Sequence, residues 1–600
     1  MKRFSHSGAS HLGPVMRRGA VAVAAAIAAM GSAQAIDLKT GNPDVSMEWN
    51  NTILYNYAYR TQSQDQAIIN APNYNDGDRN FDKGTVGNRV DLLSEFNFIY
   101  RKHAGFRVSA AGWYDGAYSH LDNTSVATSN HLAGYAPALG LSDYTKRYYQ
   151  GPSGEFLDAF VFDNFQAGKV PVNVKLGQFN LFWGEALLNP IHSLSYGQSS
   201  LDLGKMLAVP GSSLQELFRP RQQVAVQIQA SPKLSLAAQY FLKFDQVRYP
   251  EAGSYMWPFD MLNGGGESLF LSPTARALRG QDVTPSNQGD WGLAARISPD
   301  ALDGTVGLYY RRTSDIQPQI NVLPGVAALP AATCQAIGKI PIAAATCYIN
   351  TAAVTPTQLA NGIVGQYFDS YASGIDILGL SLSKDVDGIS VGGDLNYRRN
   401  MPLTSIPVQI LPAPLAAKVP GAISAIPAAG QTGGARGNTW HGVLNFTGIV
   451  PKTPTFDTAN YIVEFVWNRW ASVTQNPGAF TGSDSYTGID KASKDYYGVA
   501  LNFTPTWFQV RPGVDLQLPI SYSVGLKGNS SVTAGGNAGT GSYSIGIGAD
   551  VYQKYRFDLK YNGYFGSIAT NAADQITSYA GLTALMRDRG NISFTFKTTF

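Results

Sequence analysis

The chain of 600 residues contains 63 glycines and 12% aromatic residues but only 14% charged residues. This composition excludes an ordinary helical globule and favours a large all-β protein with many turns. The formal net charge of +3 is too small for a surface that binds nucleic acid, which needs a strong basic excess.

Residues 1–35 have the features of a cleaved secretory signal. Four basic residues precede the apolar run 20–30, and the small-residue cleavage pattern Ala33-Gln34-Ala35 follows it. The run is shorter than the roughly 20 residues that span a bilayer as a helix, and no apolar run of that length occurs later. We therefore predict that residues 36–600 are exported as one domain without an inner-membrane anchor.

Segments in which apolar and polar residues alternate follow one another along the chain. In 45–61, Trp49, Tyr55 and Tyr57 share one face of an extended strand, while Glu48 and Asn50 share the other. The same alternation marks 89–101, 106–118, 224–230, 234–244, 291–297, 306–310, 389–397, 461–467, 497–503, 514–526, 543–551 and 557–565. With weaker segments at 156–165, 175–182, 378–382 and 440–448, we predict about 18 strands, with roughly 16 as the alternative.

Short and long connections alternate between these segments. Short turns such as 102–105, 231–233 and 298–304 join neighbouring strands, and the intervening connections are much longer. Outer-membrane barrels have this arrangement of short periplasmic turns and long outer loops. The chain is therefore predicted to be an all-β, transmembrane antiparallel outer-membrane β-barrel with both termini on the periplasmic side.

The stretch 73–80, NYNDGDRN, concentrates carboxylates and amides around Gly77. Asp76 and Asp78 carry the oxygen ligands that calcium prefers, although their spacing does not match an EF-hand. The same residue types also favour solvated turns. A solvated turn is the favoured interpretation, and a calcium site at Asp76 and Asp78 is the alternative.

The alternation stops after Phe182. The stretches 199–202 and 213–216 have the pattern of capping boxes, which predicts two short helices. Because the segment 184–220 cannot pair in a barrel wall, we predict that it folds into the lumen and narrows it; a cap outside the pore is the alternative. The residues assigned to this constriction are Trp183, Glu185, His192, Asp202, Lys205, Glu216 and Arg219.

Charged residues on the polar faces of the strands are predicted to line the lumen, because charges in a membrane protein usually face water or each other. These residues are Glu48, Asp91, Glu95, Arg107, Asp115, Asp394, Arg398, Glu464 and Asp515. The segment 184–220 is expected to dock on the first three strands, with Lys205 and Arg219 supplying counter-charges to the acidic residues there.

The only two cysteines, Cys334 and Cys347, fall in one predicted outer loop. We expect a disulfide between them in an oxidising compartment, because neither a redox CxxC spacing nor a zinc-ligand spacing is present. The loops 322–342 and 403–429 are apolar and rich in alanine or proline. Burial against neighbouring loops is the favoured interpretation, and a landing surface for a hydrophobic ligand is the alternative.

The last ten residues, 591–600, return to strict alternation. Phe594, Phe596 and Phe600 share one face with Ile592, and polar residues occupy the other. A terminal aromatic residue in this pattern resembles the closing-strand signal of bacterial outer-membrane barrels. An ordinary sheet edge is the alternative interpretation.

Several motifs of the chain resemble one proteobacterial family. They are KLGQFNLFWGEALLNPIHSLSYGQSSLDLGKMLAVPGSSLQELFRP at 175–220, NDGDRNFDKGTVGNRVDLLSEFNF, GFRVSAAGWYDGAY, GGDLNYRRNMPL and PGVDLQLPISYSVGLKGNSS. On these motifs the chain resembles the family called domain of unknown function thirteen-hundred-two over essentially its whole mature length. The resemblance implies an outer-membrane barrel that transports a hydrophobic or lipid-like molecule, but supplies no catalytic residue. The partners it implies are outer-membrane lipid, the barrel-assembly machinery, an RND-type exporter and a periplasmic protein.

Three functions compete on the sequence. A channel explains the charged strand faces and the interrupted segment together, whereas a surface scaffold or adhesin needs only the long loops. An outer-membrane hydrolase is disfavoured, because none of the histidines of 36–600 lies in a strand-borne Ser/His or Asp/His arrangement. These histidines are His103, His120, His131, His192 and His441. We therefore predict a non-enzymatic channel without a cofactor.

Overall fold

The computed structural model describes residues 36–38, 40–121, 123 and 125–600. The predicted signal at 1–35 lies outside the described residues.

The described residues form a closed antiparallel barrel of 18 strands. In chain order the strands are β1 Val45–Arg60, β2 Gly84–Tyr100, β3 Ala104–Asp115, β4 Ser153–Ala167, β5 Val170–Phe179, β6 Arg221–Ser231, β7 Leu234–Phe241, β8 Trp291–Ile297, β9 Gly304–Thr313, β10 Ile375–Val386, β11 Ile389–Pro402, β12 Arg436–Val450, β13 Thr458–Gln475, β14 Asp495–Arg511, β15 Val514–Gln517 continuing as Ile520–Lys527, β16 Gly541–Val551, β17 Tyr555–Phe565 and β18 Asn591–Thr599. The prediction of about 18 strands is confirmed.

The barrel closes where β18 pairs with β1. Tyr55 lies opposite Phe596 in this pair, and Thr52 lies opposite Thr599. Beyond the end of β18, the Phe600 N–H donates to the Asn51 carbonyl at 2.8 Å and the Asn51 N–H donates back at 2.7 Å. The prediction that 591–600 is the closing strand is therefore confirmed, and the sheet-edge alternative is wrong.

The two faces of the wall differ as the alternation predicts. Outward side chains such as Leu92, Leu378 and Ile547 are 44%, 61% and 59% exposed, while polar residues such as Asn56 and Asn396 point inward and are buried. Among the described residues, closure leaves no wall strand with an unpaired edge, and the apolar outer face suits lipid, so this is a barrel that crosses a bilayer.

None of the helices in the described part of the chain has the length and hydrophobicity to cross a membrane. The α-helices are α1 Gln66–Ile69, α2 Asp76–Asn80, α3 Asp143–Thr145, α4 Leu203–Ala208, α5 Leu214–Leu217, α6 Ala331–Ala336, α7 Pro356–Ala360 and α8 Ala413–Ala416. A π-helical turn covers Lys146–Gln150, and 3₁₀ turns cover Gly116–Ser119, Pro477–Ala479 and Leu582–Met586. All lie in connections between wall strands.

Short turns join the strands at one end of the barrel, which we call the short-turn end. Between β10 and β11 the turn is Asp387-Gly388, with φ of +53° and +82°. Positive φ at both central residues is the type I′ geometry, whose twist matches that of the flanking strands and which glycine adopts without strain. The chain therefore reverses direction within two residues at this end of the barrel.

Long connections cover the other end, which we call the long-loop end. They form a five-stranded sheet from Ser268–Ser272, Ala275–Arg279, Gln319–Pro324, Ile363–Ser370 and Val408–Gln409. Shorter pairs are Ser200–Leu201 with Phe218–Arg219, Leu132–Ala133 with Ala136–Pro137, and Ile568–Thr570 with Ile576–Tyr579. A three-stranded sheet has Thr346–Tyr348 at its centre, between Val326–Ala327 and Ile340–Ala343. Away from this end, Ile36–Asp37 pairs with Glu48 and Trp49 of β1. A buried core that includes Trp257 and Tyr367 continues from these connections into the barrel.

Cys334 and Cys347 are joined as a disulfide within residues 326–349, which we call the disulfide lobe. Both sulfurs are buried in one cluster with Leu411 from the proline-rich loop 403–429. In that loop Val419 and Ile426 remain exposed, at 38% and 55%. The loop is therefore buried along one side, as the favoured interpretation requires, and apolar on its free side.

Candidate functional site

Residues 180–220, which we call the luminal segment, connect β5 to β6 and run through the barrel interior. α5 begins after Ser213, whose side chain and backbone form a capping box with Glu216, as predicted. The other predicted helix start is wrong. Residues Ser200–Leu201 form a strand instead, and α4 begins at Leu203 with Asp202 as its N-cap. The pairing of Ser200–Leu201 with Phe218–Arg219 competes successfully with helix here.

Two inward carboxylates of the wall bind the main chain of the luminal segment. Asp394 of β11 accepts from the Glu185 N–H at 2.8 Å and from the Leu194 N–H at 3.3 Å. Glu464 of β13 accepts from the N–H groups of Leu187 and Leu188 at 2.6 and 3.1 Å. Both carboxylates are buried, so they serve as anchors for the segment rather than as open pore lining.

Three inward arginines bind the carbonyl groups of the same stretch. Arg398 of β11 donates to the carbonyls of Ile191 and Ser193 at 2.8 and 2.9 Å. Arg311 of β9 donates to those of Leu194 and Tyr196 at 2.9 and 2.7 Å, and Arg221 of β6 donates to that of Gly197 at 2.6 Å. Together with the two carboxylates they form a set that we call the clamp: Asp394, Glu464, Arg398, Arg311 and Arg221.

The clamp supplies hydrogen-bond partners for the irregular backbone of the luminal segment. A chain that is neither helix nor strand leaves N–H and C=O groups without partners, and burying such groups unpaired is costly. Hydrogen bonds to charged groups are about twice as strong as neutral ones. The clamp therefore lets the segment cross the lumen without regular secondary structure.

Apolar contacts seat the same stretch against the wall. Leu194 is fully buried, and a methyl group added at Gly379 of β10 would overlap its side chain. Trp183 is also buried and packs against Tyr309 of β9, with ring centroids 6.0 Å apart. Glycine at position 379 therefore makes room for the segment.

His192 and His441 of β12 form a buried hydrogen-bonded chain. The Nε2 atom of His192 lies 2.8 Å from the Gly535 carbonyl and therefore donates to it, so Nδ1 of neutral His192 accepts from His441 Nδ1 at 2.9 Å. The Thr439 hydroxyl then donates to His441 Nε2 at 2.8 Å. Burial, assisted by Arg398, lowers the pKa of His192 to about 4 despite the Gly535 carbonyl. His192 is therefore neutral at pH 7.

The helical part of the luminal segment docks elsewhere, near β4. Lys205 contacts Glu216 at 3.3 Å and Glu155 of β4 at 3.5 Å, while Arg219 pairs with Asp245 at 3.2 Å. The predicted counter-charges to the first three strands are therefore wrong, because both cations are satisfied by other carboxylates. Asp202 pairs with Arg248 at 2.9 Å. Burial acts to raise the pKa of Asp202, but Arg248 and Lys205 hold it below its ordinary value.

The predicted docking on the first strands is reduced to a few contacts. Gln215 donates to Glu95 of β2 at 2.8 Å, and Lys597 of β18 donates to the Gly211 carbonyl at 3.0 Å. A cavity of about 460 Å³ remains between the segment and the wall. Its polar lining includes Asn50, Thr52, Asp91, Glu95, Arg107, Ser213, Gln215, Glu216 and Lys597.

The remaining predicted lumen residues have different surroundings. Asp91 lines the cavity and pairs with Arg89 at 2.7 Å, while Arg107 pairs with Glu95 and Asp158.

Glu48 is exposed near the short-turn end, and Asp515 binds the Gln509 N–H close to a turn at 2.7 Å. Asp115 is buried and caps the Gly116–Ser119 turn. Arg221 and Arg311 were not among the predicted lumen residues. The alternation of side chains along β9 nevertheless puts Arg311 on the inward face.

No group of three or more His, Cys, Asp or Glu side chains in the described part of the chain is arranged to hold a metal ion. The predicted calcium residues Asp76 and Asp78 lie in the connection from β1 to β2. Both are buried, so the solvated-turn interpretation does not describe this stretch.

Comparison with known proteins gives one strong match and several weak ones. Residues 16–600 match the family described as "Protein of unknown function (DUF1302)", which confirms the resemblance found in the motifs. No curated protein sequence matches the chain.

Solved structures resemble the chain only weakly. They include Acinetobacter baumannii OccAB3, with 8% identity and a TM-score of 0.39 over 92% of this chain and 99% of that one. A BenF-like porin from Pseudomonas fluorescens Pf-5 has 9% identity and a TM-score of 0.38 over 93% and 99%. Pseudomonas aeruginosa OccK1 (OpdK) has 9% identity and a TM-score of 0.37 over 92% and 98%. The barrel is established by the pairing of its own strands, independently of these likenesses.

Proposed function

The chain belongs to the DUF1302 family, and we propose that it is an outer-membrane channel whose luminal segment controls passage. The observation that carries this proposal is the clamp, which holds an irregular segment across the interior of a closed barrel. A barrel of this width needs filling or narrowing, and segments inside the lumen set what passes.

The contacts of the clamp suit a segment that can be displaced. They are hydrogen bonds between charged side chains and main-chain groups, and water can replace them when the segment moves. Such exchange makes the net free energy of each hydrogen bond small, about 0.5 to 3 kcal/mol. The segment is thus held by several modest interactions.

The finer part of the proposal concerns the cargo and the partners. The resemblance to the family supports hydrophobic or lipid-like cargo moved together with an RND-type exporter and a periplasmic protein. The free apolar side of the loop 403–429, with Val419 and Ile426, would serve as a landing surface at the long-loop end. The polar cavity of about 460 Å³ instead favours polar solutes. The proposal therefore requires a comparison of the passage of polar and apolar solutes through the channel.

Location follows from the same reasoning. A β-barrel with an apolar outer face belongs in a bacterial outer membrane, inserted there by the barrel-assembly machinery after removal of the signal at 1–35. The short-turn end would face the periplasm and the long-loop end the exterior. Outer-membrane lipid is then the direct partner of residues such as Leu378.

The deciding experiment removes part of the segment. Deleting residues 199–212 should raise single-channel conductance in planar bilayers and make cells more sensitive to large antibiotics, because α4 and its ion pairs leave the lumen. As a matched control, replacing residues 335–346 in the disulfide lobe with a short Gly/Ser linker should leave conductance unchanged. A deletion mutant that inserts normally but conducts like the wild type would contradict the proposal.

A surface scaffold is the second candidate, favoured by the five-stranded sheet at the long-loop end. An ordered outer sheet is more than a passive channel requires. The scaffold function predicts that wild-type protein and the 199–212 deletion both fail to conduct ions, so the same bilayer recording separates the two functions.

A further inference from the structure

We propose that Asp76 and Asp260, with the side-chain oxygen of Asn80, bind a calcium ion that joins the connections of the long-loop end. This site shares no residue with the clamp and does not rest on the proposed channel function. It replaces the pairing of Asp76 with Asp78 that the sequence suggested.

The two carboxylates are buried at a junction of three connections. The Asp76 N–H donates to Asp260 Oδ2 at 2.9 Å, which joins the β1–β2 connection to the β7–β8 connection. The Asn130 N–H donates to Asp76 Oδ2 at 2.7 Å and adds the β3–β4 connection. Asp76 and Asp260 are 4% and 0% exposed, so water cannot readily serve their remaining oxygens.

One oxygen of each carboxylate remains without a hydrogen-bond partner. These atoms, Asp76 Oδ1 and Asp260 Oδ1, are fully buried, and the buried Oδ1 of Asn80 is also unpartnered. Leaving a buried acceptor unpaired is costly, and three such acceptors on neighbouring residues need an explanation. A bound cation supplies one.

Gly253 shows that these groups converge. The Asn80 side-chain amide donates to the Gly253 carbonyl at 2.8 Å, and the Gly253 N–H lies beside the Asp260 carboxylate. A Cβ at Gly253 would lie 2.9 Å from Asn80 Nδ2 and 3.9 Å from Asp76 Cβ. All three proposed ligand residues therefore surround this one glycine.

Charge separates Asp76 and Asp260 from their neighbour Asp78. Asp78 pairs with Arg60 at 2.9 Å and with Arg589 at 3.4 Å, so it already has cationic partners. Within the described residues neither Asp76 nor Asp260 forms an ion pair.

The ligand chemistry favours calcium over magnesium. Oxygens that bind calcium lie 2.3 to 2.6 Å from the ion, so two of them can be about 4 to 5 Å apart. Calcium also accepts carboxylate and amide oxygens in flexible geometry, whereas magnesium demands a near-ideal octahedron.

The test uses the purified full chain in detergent after treatment with a chelator. Adding calcium should raise Tm by a few degrees and saturate at or below about 10⁻³ M, the affinity range of extracellular calcium modules. Magnesium should give a smaller shift. The variants Asp76→Asn and Asp260→Asn should lose the calcium-dependent shift, whereas Asp315→Asn, which alters a buried carboxylate of another connection, should keep it.

A second readout does not depend on a variant that folds. Terbium added to the wild-type protein should show luminescence excited through Trp257, whose carbonyl packs against Gly77, and calcium should displace it competitively. A wild-type Tm that calcium does not move, or a calcium shift that survives in Asp260→Asn, would overturn the proposal. A chelated protein stabilised by acid but not by calcium would overturn it in favour of protonated carboxyls.

Discussion

The two halves of the lumen are built differently although the same strands line both. Along β1 the inward side chain of Glu48, near the short turns, is exposed, whereas that of Arg60, near the long loops, is completely buried. Along β11 the inward Ser390 is exposed and Arg398 is buried. The half near the long loops is packed like a soluble core, and the other half keeps its charges in water.

This difference separates two roles of inward charge. Where the lumen is open, charged side chains can act on a passing solute. Where it is filled, carboxylates and arginines act as hydrogen-bond partners for other parts of the chain. A charged inward residue therefore has a different role according to its height in the barrel, and the following predictions test that difference.

Preventing closure of the barrel should have the largest effect, because neither half of the lumen forms without a closed wall. Replacing Phe600 with Asp should impair insertion, because it places a charge on the apolar face of the closing strand while the main-chain pairing with Asn51 is kept. Heat-modifiable mobility and outer-membrane yield measure the effect. Phe600→Tyr is the control that keeps the aromatic ring. Normal mobility and yield in Phe600→Asp would contradict the role of the closing residue.

Removing the two carboxylates of the clamp should make the filled half of the lumen more like the open half. Changing Asp394 and Glu464 to Ala together leaves four N–H groups of the segment without their acceptors, at a cost of about 1 to 3 kcal/mol for each group that stays buried. We expect higher and noisier single-channel conductance.

The matched control for this pair is Asp515→Ala, which alters an inward carboxylate near the short turns. Its effect on conductance noise should be small. Equal noise in the double variant and the control would mean that height in the barrel does not decide what an inward carboxylate does.

Acid should loosen the filled half to a smaller extent. Because the pKa of buried His192 is about 4 and that of a solvated histidine is about 6.5, the released segment binds more protons than the docked one between these values. Docking should weaken as pH falls from about 6.5 to about 4, by about 1.4 kcal/mol per pH unit at most, and no further below about 4. Protonated His192 would also present a second N–H to His441.

Conductance recorded as a function of pH measures this effect. The variant His192→Gln should flatten the dependence, whereas His103→Gln, at an exposed turn, should not. A profile unchanged by His192→Gln would assign the pH response to other groups.

Loss of the disulfide should have the smallest effect on the channel. Cys334 and Cys347 are separated by 13 residues, and closing a loop of about 15 residues stabilises a fold by about 3 kcal/mol. Changing both to Ser should make the lobe more sensitive to limited proteolysis without changing conductance. Mass spectrometry of unreduced wild-type peptides should show them joined; two alkylatable thiols in fresh membranes would contradict the link.

The wall could be predicted from the sequence because each strand carries its own local signal. The alternation around Trp49 or Phe594 needs no knowledge of distant residues. The docking of the luminal segment could not be predicted in the same way. Asp394 and Glu464 lie about two hundred residues or more beyond the N–H groups that they bind, and only the closed barrel brings them together.

Local patterns also failed where two partners competed for one stretch. The sequence 199–202 fits a helix start, but Ser200–Leu201 pairs instead with Phe218–Arg219. Asp202 consequently caps a helix that begins one residue beyond the expected box. A four-residue motif cannot show pairing between strands that sixteen residues of chain separate.

The clamp has a consequence for how relatives of this chain can diverge. Asp394, Glu464 and the three arginines bind main-chain atoms, which every amino acid except proline supplies in full. Positions such as Leu187 and Leu188 can therefore change their side chains while every anchoring bond is kept. Substitutions in the luminal segment can therefore change the side chains that contact a passing molecule, without compensating changes in the residues of the barrel wall.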